Sequence, residues 1–326
     1  MTRVAGIDCG TNSIRLLVAD AHRREDGSLG LTDLTRQMRI VRLGQGVDRS
    51  GRLDPAAIDR TIDAVVEYER MIHRLGATAV RFVATSATRD AENRQEFVDA
   101  VRAVLGIEPE VVEGTEEAAL SFSGAVSALG AGEPVPMLVV DIGGGSTELV
   151  LGDSKVRQAI SVDMGAVRVT EKFFAHCAPE QGIPAAEEER AVAWIDEQLD
   201  NAERVVDLDR VATLVGVAGT VTTLTAQALG LPTYQPEKIH GARLGLAQID
   251  EAVRFMIDQP VAVKAALGFM PDGRQDVIAA GALIWSRIVH RVVGRAATRG
   301  TRITSVCTSE HDILDGIAMS IAADRV

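Results

Sequence analysis

Asp8 to Asp20 reads DCGTNSIRLLVAD, and Asp141 to Asp153 reads DIGGGSTELVLGD. An aspartate, a glycine two residues on, a serine three further, a leucine and a closing aspartate fall at one fixed offset in the two stretches. Each is preceded by a short apolar run, Val4 to Ile7 and Met137 to Val140, so each is expected to form strand, tight turn, strand. Two equivalent hairpins facing each other would make a phosphate clamp.

The turn chemistry suits that reading. Gly10 in the first copy and Gly143, Gly144 and Gly145 in the second can take positive φ and have no side chain, so consecutive N–H groups can converge on an anion. Thr11, Asn12, Ser13, Ser146 and Thr147 add short polar side chains at the same rim. The aspartate closing each leading strand, Asp8 or Asp141, would repel phosphate unless a cation lay between them. That points to Mg²⁺, with Mn²⁺ as an alternative, held partly through water. The plainer reading is a Gly-rich hairpin with Asp and Asn chosen for turn propensity; two matched copies weigh against it.

With 326 residues, 46% of them hydrophobic, the chain can bury a large core, and its length suggests two domains. No apolar run long enough to span a bilayer appears, and the start MTRVAGIDCG lacks a basic and apolar leader. No membrane partner is therefore expected, and cytoplasm is the expected location. A net charge of -12 argues against nucleic acid as a partner and requires any polyanion site to supply its own donors. Cys9, Cys177 and Cys307 form no CxxC pair, the six histidines show no HExxH spacing, and there is no GxxxxGK[ST] stretch. A disulfide framework, a zinc enzyme and a P-loop NTPase are thereby set aside.

Between the hairpins, Asp54 and Pro55 open a helix that Gly76 stops, Val80 to Thr85 reads as a strand, and Asn93 with Glu96 opens a helix ended by Gly106. A further helix runs from Thr115 to about Leu129. In the second half, helices are expected near 166–176, 185–205, 220–229, 248–257 and 276–294, strands near 156–162, 211–217 and 303–307, and a closing helix from Ser309 to Ala323. Gly130 to Pro136 reads as an inter-domain crossing, giving domains at 1–128 and 129–308 with 309–326 free to pack back on the first. The fold class is α/β with a mixed sheet in each half.

In order along the chain, GIDCGTNSIRLLV, ATSATRDAENRQEF, VVEGTEEAALSFSGA, DIGGGSTELV, GVAGTVTTLTA and SEHDILDGI closely resemble the exopolyphosphatase and guanosine pentaphosphate phosphohydrolase (Ppx/GppA) family. The resemblance covers almost the whole chain, which stops just after the last motif and so looks like a short form without the C-terminal helical domain of longer members. It implies two actin-, Hsp70- and sugar-kinase-like (ribonuclease H-like) domains around a central cleft, with polyphosphate or a nucleotide polyphosphate between the hairpin loops. It also implies Glu117 as the catalytic glutamate, Asp141 as the metal-linked aspartate, Glu148 as a second acidic residue serving catalysis or metal, and Arg89 as a phosphate contact. His311 and Asp312 depart from the family's last motif and leave the role of the final loop open.

Glu117 falls in the first turn of a helix, where acidic residues are common because they favour the positive end of the dipole; the resemblance makes it a general base. Arg89 reads as a solvated loop arginine or, flanked by Ser86 and Thr88, as a fork for two oxygens of one phosphate. Gly219 and Thr220 open a helix after a strand, a second anion-binding arrangement. Lys238, His240 and Arg243 form a small basic cluster that could line the route of an anionic chain. Arg15 and Glu148 occupy equivalent hairpin positions with opposite charge, open to pairing across the cleft.

The leading expectation is a Mg²⁺-dependent exopolyphosphatase using in-line attack of water on inorganic polyphosphate. The rivals are a pppGpp 5′-phosphohydrolase, which would tie the chain to the stringent response, a sugar or acetate kinase, and a catalytically silent nucleotide-binding regulator. A homodimer is compatible with the chain, though nothing in the sequence specifies it.

Overall fold

The computed structural model describes residues 2–25, 27–129, 132–323 and 325. The chain forms two units, one of Met1–Ser127 with Asp312–Val326 and one of Ala128–His311. Gly130 and Ala131 of the expected crossing, and Asp324 and Val326 of the closing segment, lie outside the described residues.

In the first unit β1 (Thr2–Cys9), β2 (Ser13–Arg23), β3 (Leu29–Ile40), β4 (Ala79–Ala84) and β5 (Glu110–Val111) form a sheet of order β3-β2-β1-β4-β5. β1, β4 and β5 run parallel, while β2 and β3 are antiparallel. Alternation along the strands sorts side chains onto two faces. Ala5, Ile7, Ile14, Leu16 and Phe82 join Tyr68 and Phe97 of the helices Pro55–Leu75 and Arg94–Leu105 in one core. Val4, Leu17, Ala19 and Ala79 meet Leu314 and Ala318 of the closing helix Ile313–Ala323 on the other. Asp8 and Arg15 fall on that second face by the same alternation.

The expected helix beginning at Ser309 starts at Ile313 instead, because Ser309 Oγ bonds locally to the backbone of His311. Asp54 caps its helix through Ala56 N as expected. Asn93 does not cap: its amide accepts from Leu53 N and donates to Leu53 O, pinning a neighbouring loop. The sequence reading assigns no element to β3, a half-exposed edge strand rich in Thr, Asp and Arg that only its pairing with β2 defines.

The second unit repeats this plan. β6 (Met137–Ile142), β7 (Thr147–Gly152), β8 (Val156–Val162), β9 (Thr213–Val217), β10 (Arg243–Gly245) and β11 (Ser305–Thr308) form a sheet of order β10-β11-β9-β6-β7-β8. Leaving out β10, the order and the parallel and antiparallel senses match those of the first sheet. The thirteen-residue repeat is thus the visible part of a duplicated α/β unit. Among the described residues no helix is long and apolar enough to cross a membrane.

Lys264 is 2% exposed in the second unit. Pro260 has no N–H for the carbonyl four residues before it, at the end of the helix Leu246–Asp258, and Lys264 Nζ donates to that Met256 O at 3.2 Å. Burial pulls the Lys264 pKa down to about 8 from 10.5, against the opposing pull of Asp276. Between those values the unfolded chain holds the extra proton, so stability rises with pH there and falls as pH drops through 8. Urea unfolding is expected to show wild type gaining about 2 kcal/mol on Lys264→Met between about pH 7.5 and about pH 10. A constant difference would refute the assignment.

Candidate active site

The two repeat loops close with one hydrogen bond at matched positions, Gly10 N to Ser13 O and Gly143 N to Ser146 O, each 3.0 Å. None of Gly10, Gly143, Gly144 and Gly145 has positive φ, so the freedom glycine offers there is not used. The loops are shaped from outside instead. Thr11 O accepts from Gly44 N, and Asn12 O from Val41 N and Arg42 N. At the equivalent places, Gly144 O accepts from Val167 N and Arg168 N, and Gly145 O from Arg168 Nε. Gly143 O is also taken, by Ala166 N. Carbonyl and N–H point opposite ways across a trans peptide. Pinning these carbonyls therefore turns the N–H groups of Asn12, Ser13, Gly145 and Ser146 away from the supporting segments, the arrangement an anion needs.

The supporting segments follow β3 and β8 and approach closely only because each carries a glycine. A Cβ on Gly44 would lie 2.7 Å from Ala87 Cβ and run into the Thr11 side chain; one on Gly165 would overlap the Gly144–Gly145 peptide. The sequence reading missed both. Their signal was present as a third element of the repeat, Leu43-Gly44 and Met164-Gly165.

The short side chains divide. Thr11 Oγ1 lies 3.0 Å from Ser86 Oγ, joining the loop to the turn after β4. Asn12 and Ser13 are partly exposed, whereas Ser146 and Thr147 are buried and Thr147 Oγ1 donates to Met164 O. Thr147 therefore supports its loop and is not at a rim.

Glu117 and Arg89 come together in the first unit. Arg89 lies on a short helix, Ser86–Asp90, not in a solvated loop; its Nη1 donates to Val112 O at 3.0 Å and to Glu117 Oε2 at 3.3 Å. Glu117 is 8% exposed in the first turn of the helix Gly114–Ala128, while Glu116 points out to Arg81. Thr88 is fully buried with its hydroxyl unbonded, so it does not flank Arg89 as a donor.

Asp8 and Arg15 face each other across β1 and β2; Asp141 and Glu148 do so across β6 and β7. In the first pair Arg15 Nε and Nη2 grip Asp8 Oδ2 at 2.9 and 2.7 Å. Burial nevertheless raises the Asp8 pKa, against the opposing pull of Arg15. In the second pair two carboxylates oppose each other, 7% and 1% exposed, and Ser161 Oγ donates to Glu148 Oε1 at 2.7 Å. The duplicated position is an ion pair in one unit and a pair of like charges in the other.

Gly219 lies in the first turn of the helix Ala218–Ala228, with Arg274 Nη1 donating to Gly219 O at 3.1 Å and to Thr223 Oγ1 at 3.0 Å. Thr220 turns inward against Gly281. The basic cluster is dispersed: Lys238 lies on the short helix Pro236–Ile239, Arg243 pairs with Glu133, and His240 sits edge-on to His311 at 4.9 Å.

Residues 21–310 match the pattern described as the Ppx/GppA phosphatase family. The chain belongs to that family. Exopolyphosphatase 2 of Mycobacterium tuberculosis H37Rv is 44% identical over 99% of both chains. A crystal structure titled exopolyphosphatase-like protein covers 100% of both chains with TM-score 0.93 and 41% identity. The Aquifex aeolicus Ppx/GppA family member covers 100% of this chain and 99% of its own, with TM-score 0.77 and 30% identity. As a Ppx/GppA protein, the chain shares its two-unit α/β fold with these relatives along its full length.

Proposed function

We propose that this Ppx/GppA protein is an exopolyphosphatase, releasing the terminal orthophosphate of inorganic polyphosphate by in-line attack of water. The observation that carries the reading is the repeated loop, closed by the same hydrogen bond and held by pinned carbonyls in both units. Polyphosphate presents the same oxygens and charge at every unit of its length, which suits two copies of one backbone anion site. The name of the M. tuberculosis relative supports the same substrate.

Phosphoryl transfer has a loose transition state and needs positioning and charge stabilisation more than a protein nucleophile. In this reading Glu117 takes the proton of the attacking water. Arg89 orients Glu117 and holds phosphate oxygens, while the N–H groups of residues 12 and 13 in the first unit, and those of 145 and 146 in the second, are the anion donors of their own loops.

Asp141 and Glu148 are hard oxygen donors suited to Mg²⁺ or Mn²⁺ and lie opposite each other on neighbouring strands. Among the described residues no three His, Cys, Asp or Glu side chains gather closely enough to hold an ion. Mg²⁺ commonly takes one or two carboxylates with water and substrate phosphate, so two suffice. When bound, the cation would neutralise charge on phosphate oxygens. Asp8, already gripped by Arg15, is the weaker candidate ligand.

Phosphate release measured side by side on short and long polyphosphate, pppGpp and ATP, with and without Mg²⁺ or Mn²⁺, tests the reading. Metal-dependent release from polyphosphate is expected. Release from pppGpp alone would overturn the substrate, and tight nucleotide binding with no release from any of the four would overturn hydrolysis altogether.

A further inference from the structure

Asp312, which with His311 stands where the sequence reading finds the last motif departing from the family's, contacts both the repeat hairpin and the helix that carries Glu117 in the first unit. Its carbonyl packs on Gly124, where a Cβ would overlap it. Gly124 lies two turns beyond Glu117 on the same helix, so the two share a face about 10 Å apart along the axis. Gly316 likewise packs on Leu120 O in the turn between them. The Asp312 carboxylate reaches the repeat hairpin, with Oδ2 accepting from Arg15 Nη1 while Arg15 holds Asp8.

Asp312 is itself restrained. Its Oδ1 accepts from Leu314 N at 3.0 Å, capping the closing helix, and its N–H donates to Asp315 Oδ2 at 3.1 Å. Asp315 is held in turn by Arg36 of β3 at 2.6 and 3.0 Å. One carboxylate oxygen therefore caps while the other grips the hairpin.

We infer that Asp312 is a positioning residue for hydrolysis, fixing the Arg15–Asp8 hairpin against the helix that carries Glu117. The inference rests on the hydrolase reading, in which a displacement of about 1 Å can cost on the order of 10²-fold in rate.

The two oxygens can be separated by substitution. Asn and Ser both cap helices well. In Asp312→Asn, however, the amide nitrogen that replaces Oδ2 cannot accept from Arg15, and in Asp312→Ser the hydroxyl is too short to span the reach of the carboxylate. The Asp8–Arg15–Asp312 group carries one surplus negative charge, so Asp312→Asn leaves a neutral pair and the fold is expected to survive. Asp312→Asn and Asp312→Ser should each lower kcat for polyphosphate about tenfold or more, with KM within about threefold and little change in melting temperature. In an Arg15→Gln background, Asp312→Asn should add almost nothing. Retention of over half of kcat, a change in KM alone, or losses that multiply in the double variant would each overturn the proposal.

The Arg15 Nη1–H resonance of the full chain, the proton donated to Asp312 Oδ2, gives a readout independent of turnover. It should be protected in wild type and exchange faster in Asp312→Asn; equal protection in both would overturn the proposal. If wild type frees no phosphate from polyphosphate, the hydrolase reading fails, and this second measurement still decides whether Asp312 fixes Arg15.

Discussion

Glu117→Gln is expected to lower kcat for polyphosphate by about 10²–10⁴-fold, the usual worth of a positioned general base. KM should stay within a few-fold and the fold should persist. The substitution keeps shape and helix position and removes only the carboxylate that accepts the proton. Arg89 keeps Val112 O as a hydrogen-bond acceptor and the Asp90 carboxylate 4.0 Å from its Nε. Glu116→Gln is the matched control: one residue away in the same first turn, it points outward to Arg81 and should leave kcat nearly unchanged. A Glu117→Gln enzyme retaining over half the wild-type rate would remove Glu117 from the mechanism, and equal losses in both variants would make the effect one of helix charge.

Gly165→Ala should be the most damaging alanine substitution among the loop supports. The backbone itself would accept alanine, with φ -119° and ψ 168°. The obstacle is the Gly144–Gly145 peptide, which a Cβ would overlap. Backbone cannot yield as a flexible side chain does, so either the helix start or the loop must move. Overpacking of this kind typically costs about 1–3 kcal/mol, and displaced N–H groups should lower turnover about 10²-fold. Gly245→Ala is the control, because that extended glycine also precedes a helix but has only Gln248 Oε1 near its Cβ, at 3.6 Å. Melting curves and phosphate release on the two variants decide the matter: equal behaviour would mean that the loop is not held as described.

The placement of the repeat hairpins followed from residue pattern alone, because short apolar runs before Gly-rich turns are local signals. So did the helix Pro55–Leu75, marked by its Asp54 cap and by Gly76 in the left-handed region. β3 carried no such signal: an edge strand with polar alternation is defined by its neighbour, and its neighbour is β2. Positive φ is open to the loop glycines because they carry no side chain. The loops do without it because segments distant in sequence hold their carbonyls.

The candidate site divides in the same way. The sequence itself determined which chemistry the chain carries: a duplicated Asp-Gly-Ser turn, a glutamate pair at a helix start, and an arginine among hydroxyl residues. Only the tertiary structure decided which glutamate of the pair turns inward, that Arg89 meets Glu117, that Gly44 and Gly165 shape the loops, and that Asp312 bonds to Arg15 from 297 positions away. The physical reason is range. Turn and cap preferences act over a few residues and are written in local order, whereas the direction of a buried side chain is set by whatever the folded chain packs against it.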